Sequence, residues 1–155
     1  MPNYRRIFED GYSYYLTIVT HRRNPILIDN ITLLRQSFAQ SKKRFDYRID
    51  AIVILPEHIH MVITPKKATD YPKIVGAIKA YFSRYYPCQD REVEQSNSRY
   101  KKRYKAIWQK KYYEHTIRNE KDWHETMTYM KYNPVKHGLV DDVNNWEYSS
   151  FVRRG

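Results

Sequence analysis

The sequence predicts an α+β domain: a ferredoxin-like antiparallel sheet in the order β-α-β-β-α-β, helices on one face, and an additional C-terminal helix. Three observations carry this. Two apolar, β-branched runs, YRIDAIVILP (47–56) and HIHMVITP (58–65), are broken only at Pro56-Glu57 and read as a hairpin. A helical apolar period lies on either side of that hairpin, over 30–45 and 70–86. Strand-like runs at 12–20 and 107–117 then bracket the whole.

In chain order, a basic arm (1–10) precedes YSYYLTIVT (12–20), whose β-branched and aromatic residues favour a strand. The next segment spaces Ile31, Leu34, Phe38 and Phe45 near one helical face, with Asp29 or Asn30 as N-cap. After the hairpin, Asp70 caps a helix with Pro72 in its first turn and Ile74, Ile78 and Phe82 inward. Residues 88–106 are polar and charged and predict a mobile loop, whereas IWQKKYYEHTI (107–117) has strand composition. A last helix over 119–132 is expected to stop at Asn133-Pro134, since the residue before proline is pushed out of helical geometry. The tail, 141–155, is expected to pack back as a lid. No repeat or linker divides the 155 residues, which fit a single domain, 1–155.

The charge gives the first functional direction. Lys and Arg number 28 against 17 Asp and Glu, a net +11, and they recur in pairs and triplets along the chain. Such an excess makes a surface suited to a polyanion. Sixteen tyrosines and three tryptophans are interleaved with it, as in RYKKRYK and WQKKYY. Aromatic faces beside cations suit unpaired bases and their phosphates, although many of these rings are expected in the core. The single cysteine excludes an intramolecular disulfide and a Cys-based metal cluster, which fits a reducing, cytoplasmic compartment. No apolar stretch is long enough to span a membrane, and the N-terminus shows no signal-like apolar core.

The sharpest local pattern is Pro56-Glu57-His58-Ile59-His60. Residues two apart on a strand share a face, so both imidazoles project together while Ile59 points to the other side. Two such nitrogens can converge on one divalent ion; with six histidines in the chain, they can equally be two imidazoles on a wet strand face. Near the C-terminus, Tyr129 and Asn133 are four apart and would share a helical face, presenting a phenol and a carboxamide together. A phenol can serve in covalent catalysis once a cation helps it ionise.

These segments together resemble the REP-associated tyrosine transposases, members of the HUH endonuclease group and relatives of small single-strand insertion-sequence transposases. The resemblance runs through Asn3-Tyr4-Arg5-Arg6, Thr20-His21-Arg22-Arg23, Leu55 to Met61, Trp108 to Arg118 and Tyr129 to Val140, nearly the whole chain. It implies His58 and His60 as metal ligands for Mg²⁺ or Mn²⁺ and Tyr129 as the nucleophile. Asn133 stands where insertion-sequence relatives carry a metal-binding Gln, so its role as third ligand is a departure from that pattern. Tyr112 and Tyr113 are rival nucleophiles by mere abundance, and they rank below Tyr129 because they sit in the strand-like segment and not on the expected helix.

The resemblance further implies a bacterial, nucleoid-associated enzyme that cuts and rejoins single-stranded, hairpin-bearing DNA through a 5′-phosphotyrosine. Tyr4, Arg5 and Arg6 would read the unpaired guide beside the hairpin. Arg22, Arg23, Trp108, Lys110, Lys111, His115 and Lys136 would contact the strand. Either a monomer or a homodimer is compatible with it. Two other readings remain open at this point: a non-catalytic single-strand DNA or RNA binder of the same fold, and a replication-initiator nickase. The absence of an RNP-like string and the presence of only four glycines count against an RNA-recognition module.

Overall fold

A computed structural model describes residues 10–87 and 107–152. The arm residues Tyr4, Arg5 and Arg6 and the segment 88–106 lie outside the described residues. The structure is α+β, with four antiparallel strands and three α-helices among the described residues. In order these are β1 (Ser13–Val19), α1 (Ile31–Arg44), β2 (Tyr47–Ile54), β3 (His58–Pro65), α2 (Tyr71–Tyr85), β4 (Tyr113–Ile117) and α3 (Glu120–Lys136). The sheet order is β2-β3-β1-β4, so β3 and β1 are central and buried between neighbours.

Strand alternation divides the molecule into two layers. Ile59, Met61 and Ile63 of β3, with Leu16 and Ile18 of β1, point to the face covered by α1 and α2, where they meet Leu34, Phe38, Ile74, Ile78 and Phe82. Each such side chain removed from water contributes roughly 1.5–3 kcal/mol. On the opposite face, Tyr15, Val53, Val62 and Ile117 pack against Met130, Trp123 and Met127 of α3. Even-numbered residues of β3 therefore face α3, and these include His58 and His60.

Four local expectations are revised. The strand expected over 107–117 is regular only from Tyr113. Thr17 pairs with Tyr113 but Thr20 next bridges to Trp108, so the intervening residues 109–112 outnumber their partners and bulge away. The last helix does not end before Pro134 but continues to Lys136. It is stopped by Gly138 at φ 72°, with the amides of Gly138 and Leu139 bonding back to Val135 and Pro134 carbonyls. The buried anchors Met130, Asn133 and Pro134 hold this last turn against the sheet and offset the cost of an internal proline.

The expected caps Asn30 and Asp70 make no side-chain cap bond; Asn30 instead donates to the Ile26 carbonyl. The tail does pack back, but over the β2 edge. Ser149 bridges to Val53, and Trp146 Nε1 donates to the Ile54 carbonyl. An otherwise open edge is thereby closed to stray strand pairing.

Candidate active site

His58 and His60 begin β3, opposite Val19 and Thr17 of β1. Both are buried, at 3% and 4% exposure, and their rings meet edge to face at 4.6 Å. Each has its Nδ1 occupied: that of His58 by the Glu57 carboxylate at 2.5 Å, that of His60 by the Tyr15 hydroxyl at 2.7 Å and the Thr17 hydroxyl at 3.0 Å. The His60 Nε2 is buried without a hydrogen-bond partner. A metal-ligating histidine is held in this way, the outer nitrogen fixed by a neighbour and the inner one left as donor.

α3 supplies the other wall. Tyr129, Asn133 and His137 fall at successive i, i+4 positions; Tyr129 and His137 lie against the histidines, while Asn133 is not among the residues that line the cavity. The Tyr129 ring stands edge to face with His60 at 5.8 Å, and its own face is covered by Lys136, whose Nζ lies 5.0 Å from the ring centre. His137 closes the end, 5.3 Å from His58 ring to ring. Asn133 is fully buried, and neither its carboxamide oxygen nor its nitrogen has a partner. Between sheet and helix lies an open cavity of about 580 Å³ lined by His58, His60, Tyr129, His137, Arg23 and Tyr113, among others.

Electrostatics keep the pair neutral. Burial, then the repulsion its charged form would meet from His58, His137 and Lys136, pushes the His60 imidazole down from 6.5 to about 3. Burial also lowers His58, against the pull of Glu57. Tyr15 is moved the opposite way, raised to about 12 by burial although its bond to Thr17 opposes this, so it serves His60 as a hydroxyl and not as a nucleophile.

These shifts predict acid sensitivity of the metal-free protein. Below pH 6.5 the unfolded chain takes up a proton that the folded His60 refuses. Stability is therefore lost as pH falls from about 6.5 toward 3, by up to about 1.4 kcal/mol per unit from this residue. Urea unfolding between pH 7 and 4.5 should show a shallower decline for His60→Gln than for the parent. Equal slopes would contradict the assignment.

Other expected site residues are distributed unevenly. Arg23 lines the cavity, on a turn where Arg22 and Arg23 both hold positive φ, 54° and 52°. A non-glycine residue in this region costs roughly 1–2 kcal/mol. The turn is held by Thr20, whose hydroxyl donates to the Asn24 and Glu57 carbonyls, tying it to the hairpin tip beside His58. His115 also lines the cavity, its Nε2–H shared by both Asp122 oxygens at 2.8 and 2.9 Å, which locks β4 to the first turn of α3.

Lys110 and Lys111 are exposed outside the cavity lining. Trp108, expected to stack on a strand, is instead 1% exposed and packs edge-on against Phe82, an indole too apolar to leave the core beside α2. Tyr112 packs on the α1–α2 side beneath Lys79, away from the histidines, whereas Tyr113 reaches the cavity.

Sequence reasoning missed Tyr15, Thr17, Glu57, Asp122 and His137. The i, i+4, i+8 spacing of Tyr129, Asn133 and His137 was a usable signal for the last. The positions of Tyr15 and Thr17 depend on register across two strands, which no local pattern encodes.

The family described as "Transposase IS200 like" matches residues 9–133. A protein assigned to the REP-associated tyrosine transposases in Haemophilus influenzae is 37% identical over 155 residues, covering 99% of this chain and 87% of that one. The REP-associated tyrosine transposase of Escherichia coli is 33% identical, with 99% and 84% covered. A solved REP-associated tyrosine transposase bound to a REP hairpin superposes with a TM-score of 0.79 at 31% identity, over 97% of this chain and 83% of that one. A Deinococcus radiodurans crystal structure at 19% identity and a TM-score of 0.50 shares the fold. The chain is thus a transposase enzyme of the IS200-like family and belongs to its REP-associated tyrosine transposases.

Proposed function

We propose that this protein cuts and rejoins single-stranded DNA beside hairpins, with Tyr129 as nucleophile and a divalent ion, Mg²⁺ or Mn²⁺, held by His58 and His60. The observation that carries the proposal is the placement of Tyr129 at 5.8 Å from His60 across one cavity. The hairpin partner rests on likeness to the relative solved with a REP hairpin. We also read the sheet order β2-β3-β1-β4, with its β-α-β-β-α-β chain path, as ferredoxin-like, α3 being the added helix that carries the nucleophile.

The donor set fits such an ion. His60 offers a buried, unpartnered Nε2, and binding through it requires Nδ1–H to donate to Tyr15 or Thr17. Among the described residues no group of three or more His, Cys, Asp or Glu side chains could hold a metal ion. We read the Asn133 carboxamide oxygen as the third protein donor; its unpaired burial, which costs about 1–3 kcal/mol, supports that reading. When bound, the ion would polarise a non-bridging phosphate oxygen and offset developing charge.

The chain's own residues do the rest. The Tyr129 oxygen attacks phosphorus in line, the bond to the 3′ oxygen breaks, and that oxygen takes up a proton as the phenol gives one up. A 5′-phosphotyrosine and a free 3′-hydroxyl result, and because the bond energy is conserved, a 3′-hydroxyl can reverse the step. Lys136, over the Tyr129 ring, would offset charge developing at the reacting phosphate, and Arg23, which lines the cavity, would hold a phosphate. Tyr129 lies over the histidines of its own chain, which supports a site complete in one monomer.

Incubation of a labelled hairpin with Mn²⁺ should give a denaturant-stable protein–DNA adduct; binding without adduct would favour the non-catalytic reading. Because two neutral imidazoles and a carboxamide bring no formal negative charge, metal binding should be weak without DNA. Calorimetry on the DNA-free protein should give a Kd above about 1 μM for Mg²⁺, and tighter binding would contradict this account of the donor set.

A further inference from the structure

The histidine cavity has a direction. Three rungs join the sheet to α3 along it: His58 with His137, His60 with Tyr129, and His115 with Asp122. Strand register puts them in that order, because Val19, Thr17 and Tyr15 of β1 pair with His58, His60 and His115 in turn. From Asp122 to His137 the helix rises about 22 Å, so Tyr129 stands near the middle with a compartment on either side. The two compartments differ in sign. Around His58 the cavity wall carries Arg23 and His137, and Lys136 lies over the Tyr129 ring. Beyond Tyr129 it carries Asp122 and Glu125, and among the described residues no Lys or Arg lines that end.

Asp122 is engaged, since both its oxygens accept from His115 Nε2–H and one also from the Arg118 amide. Glu125 is not: among the described residues it meets only Lys121, at 3.9 Å between two exposed side chains, a pair that holds neither firmly. Nearby, the Tyr113 ring of β4 is 53% exposed and stands edge to face with Tyr15 at 5.9 Å. The cavity, at about 580 Å³, has room for a nucleotide-sized group beyond a metal ion and one phosphate. A phosphate is repelled from the acidic end and drawn to the other. A base is neutral, stacks on a phenol ring, and offers N–H donors to a carboxylate. Glu125 precedes Tyr129 by about one helical turn, 6 Å along the axis, which places such a base beside the phosphate under attack. Cytosine, adenine and guanine each present an exocyclic amine. Thymine presents carbonyl oxygens on either side of its single N–H, and a carboxylate repels them.

We infer that the end of the cavity between Tyr113 and Glu125 is a base subsite, which selects an amine-bearing base next to the cut bond. Glu125 is its specificity-determining residue, accepting from the amine, and the Tyr113 ring is the surface on which the base stacks. The inference rests on the proposed cutting site for the position of that base along the strand.

The test is fluorescence anisotropy in EDTA, with labelled hairpins whose unpaired flank carries each of the four bases at each position in turn. Cleavage of the same set in Mn²⁺ is then scored separately. At one flank position the parent should bind an amine-bearing base about tenfold or more tighter than thymine. Cytosine against uracil at that position isolates the amine from ring size and from the thymine methyl. Glu125→Ala, at an exposed helix position where alanine is well tolerated, should bring the bases within about twofold of one another. Glu120→Ala removes the same charge from an exposed site outside the cavity lining and should leave the parent ratios. A general gain in affinity from the lost charge moves every base together and does not alter a ratio. No base preference in the parent, a preference for thymine, or a preference that Glu125→Ala leaves intact would overturn the subsite. Cleavage with ratios unchanged by Glu125→Ala removes the subsite and keeps the nuclease; a Glu125-dependent preference without cleavage or adduct keeps the subsite and removes the nuclease.

Discussion

Replacing Tyr129 with phenylalanine is expected to lower strand cleavage and adduct formation by about 10⁴-fold or more, with hairpin affinity within about threefold of the parent. The change removes one oxygen and nothing else. Tyr129 is 45% exposed, its ring rests between His60 and Lys136, and phenylalanine keeps both ring contacts. Neither folding nor the cavity wall should change, so a lost rate cannot be attributed to lost structure. The measurement is single-turnover cleavage of a labelled hairpin beside its binding isotherm. Retained cleavage would move the nucleophile, and Tyr113 is the phenol to examine, since it lines the same cavity while Tyr112 packs on the other side of the sheet.

The second large effect is expected at the histidines. His58→Ala and His60→Ala should each reduce Mn²⁺-supported cleavage by about 10²–10³-fold, and EDTA should do the same to the parent protein. The double variant should be little worse than either single one, because both act on one ion. His60→Ala also leaves the Tyr15 and Thr17 hydroxyls without their shared acceptor or donor, so its stability must be measured alongside. Additive losses, or cleavage that survives both EDTA and either substitution, would remove the metal from the account.

The fold was legible where a periodic apolar pattern met a clear break. The hairpin at Pro56-Glu57, the α2 face of Ile74, Ile78 and Phe82, and the pairing of His58 with His60 on one side of β3 all follow from period and parity alone. Legibility failed where tertiary contacts outweighed a local rule. Pro134 did not end its helix because Met130, Asn133 and Pro134 are buried as a unit, and the stop came at Gly138. Trp108 was misjudged as surface because its flanking lysines are exposed while its own ring sits under α2. The hydroxyls that hold His60 come from β1, more than forty residues away, and only strand register brings them there. The metal-holding role of Asn133 is an expectation that its unpartnered, buried carboxamide supports.

The central claim is that the Tyr129 oxygen forms the covalent bond to DNA. Mass spectrometry of the protease-digested adduct from an Mn²⁺ reaction tests it most directly. The account predicts one modified peptide, with a 5′-phosphate on Tyr129. Modification of Tyr113 or any other residue, or attachment through a 3′-phosphate, would contradict it.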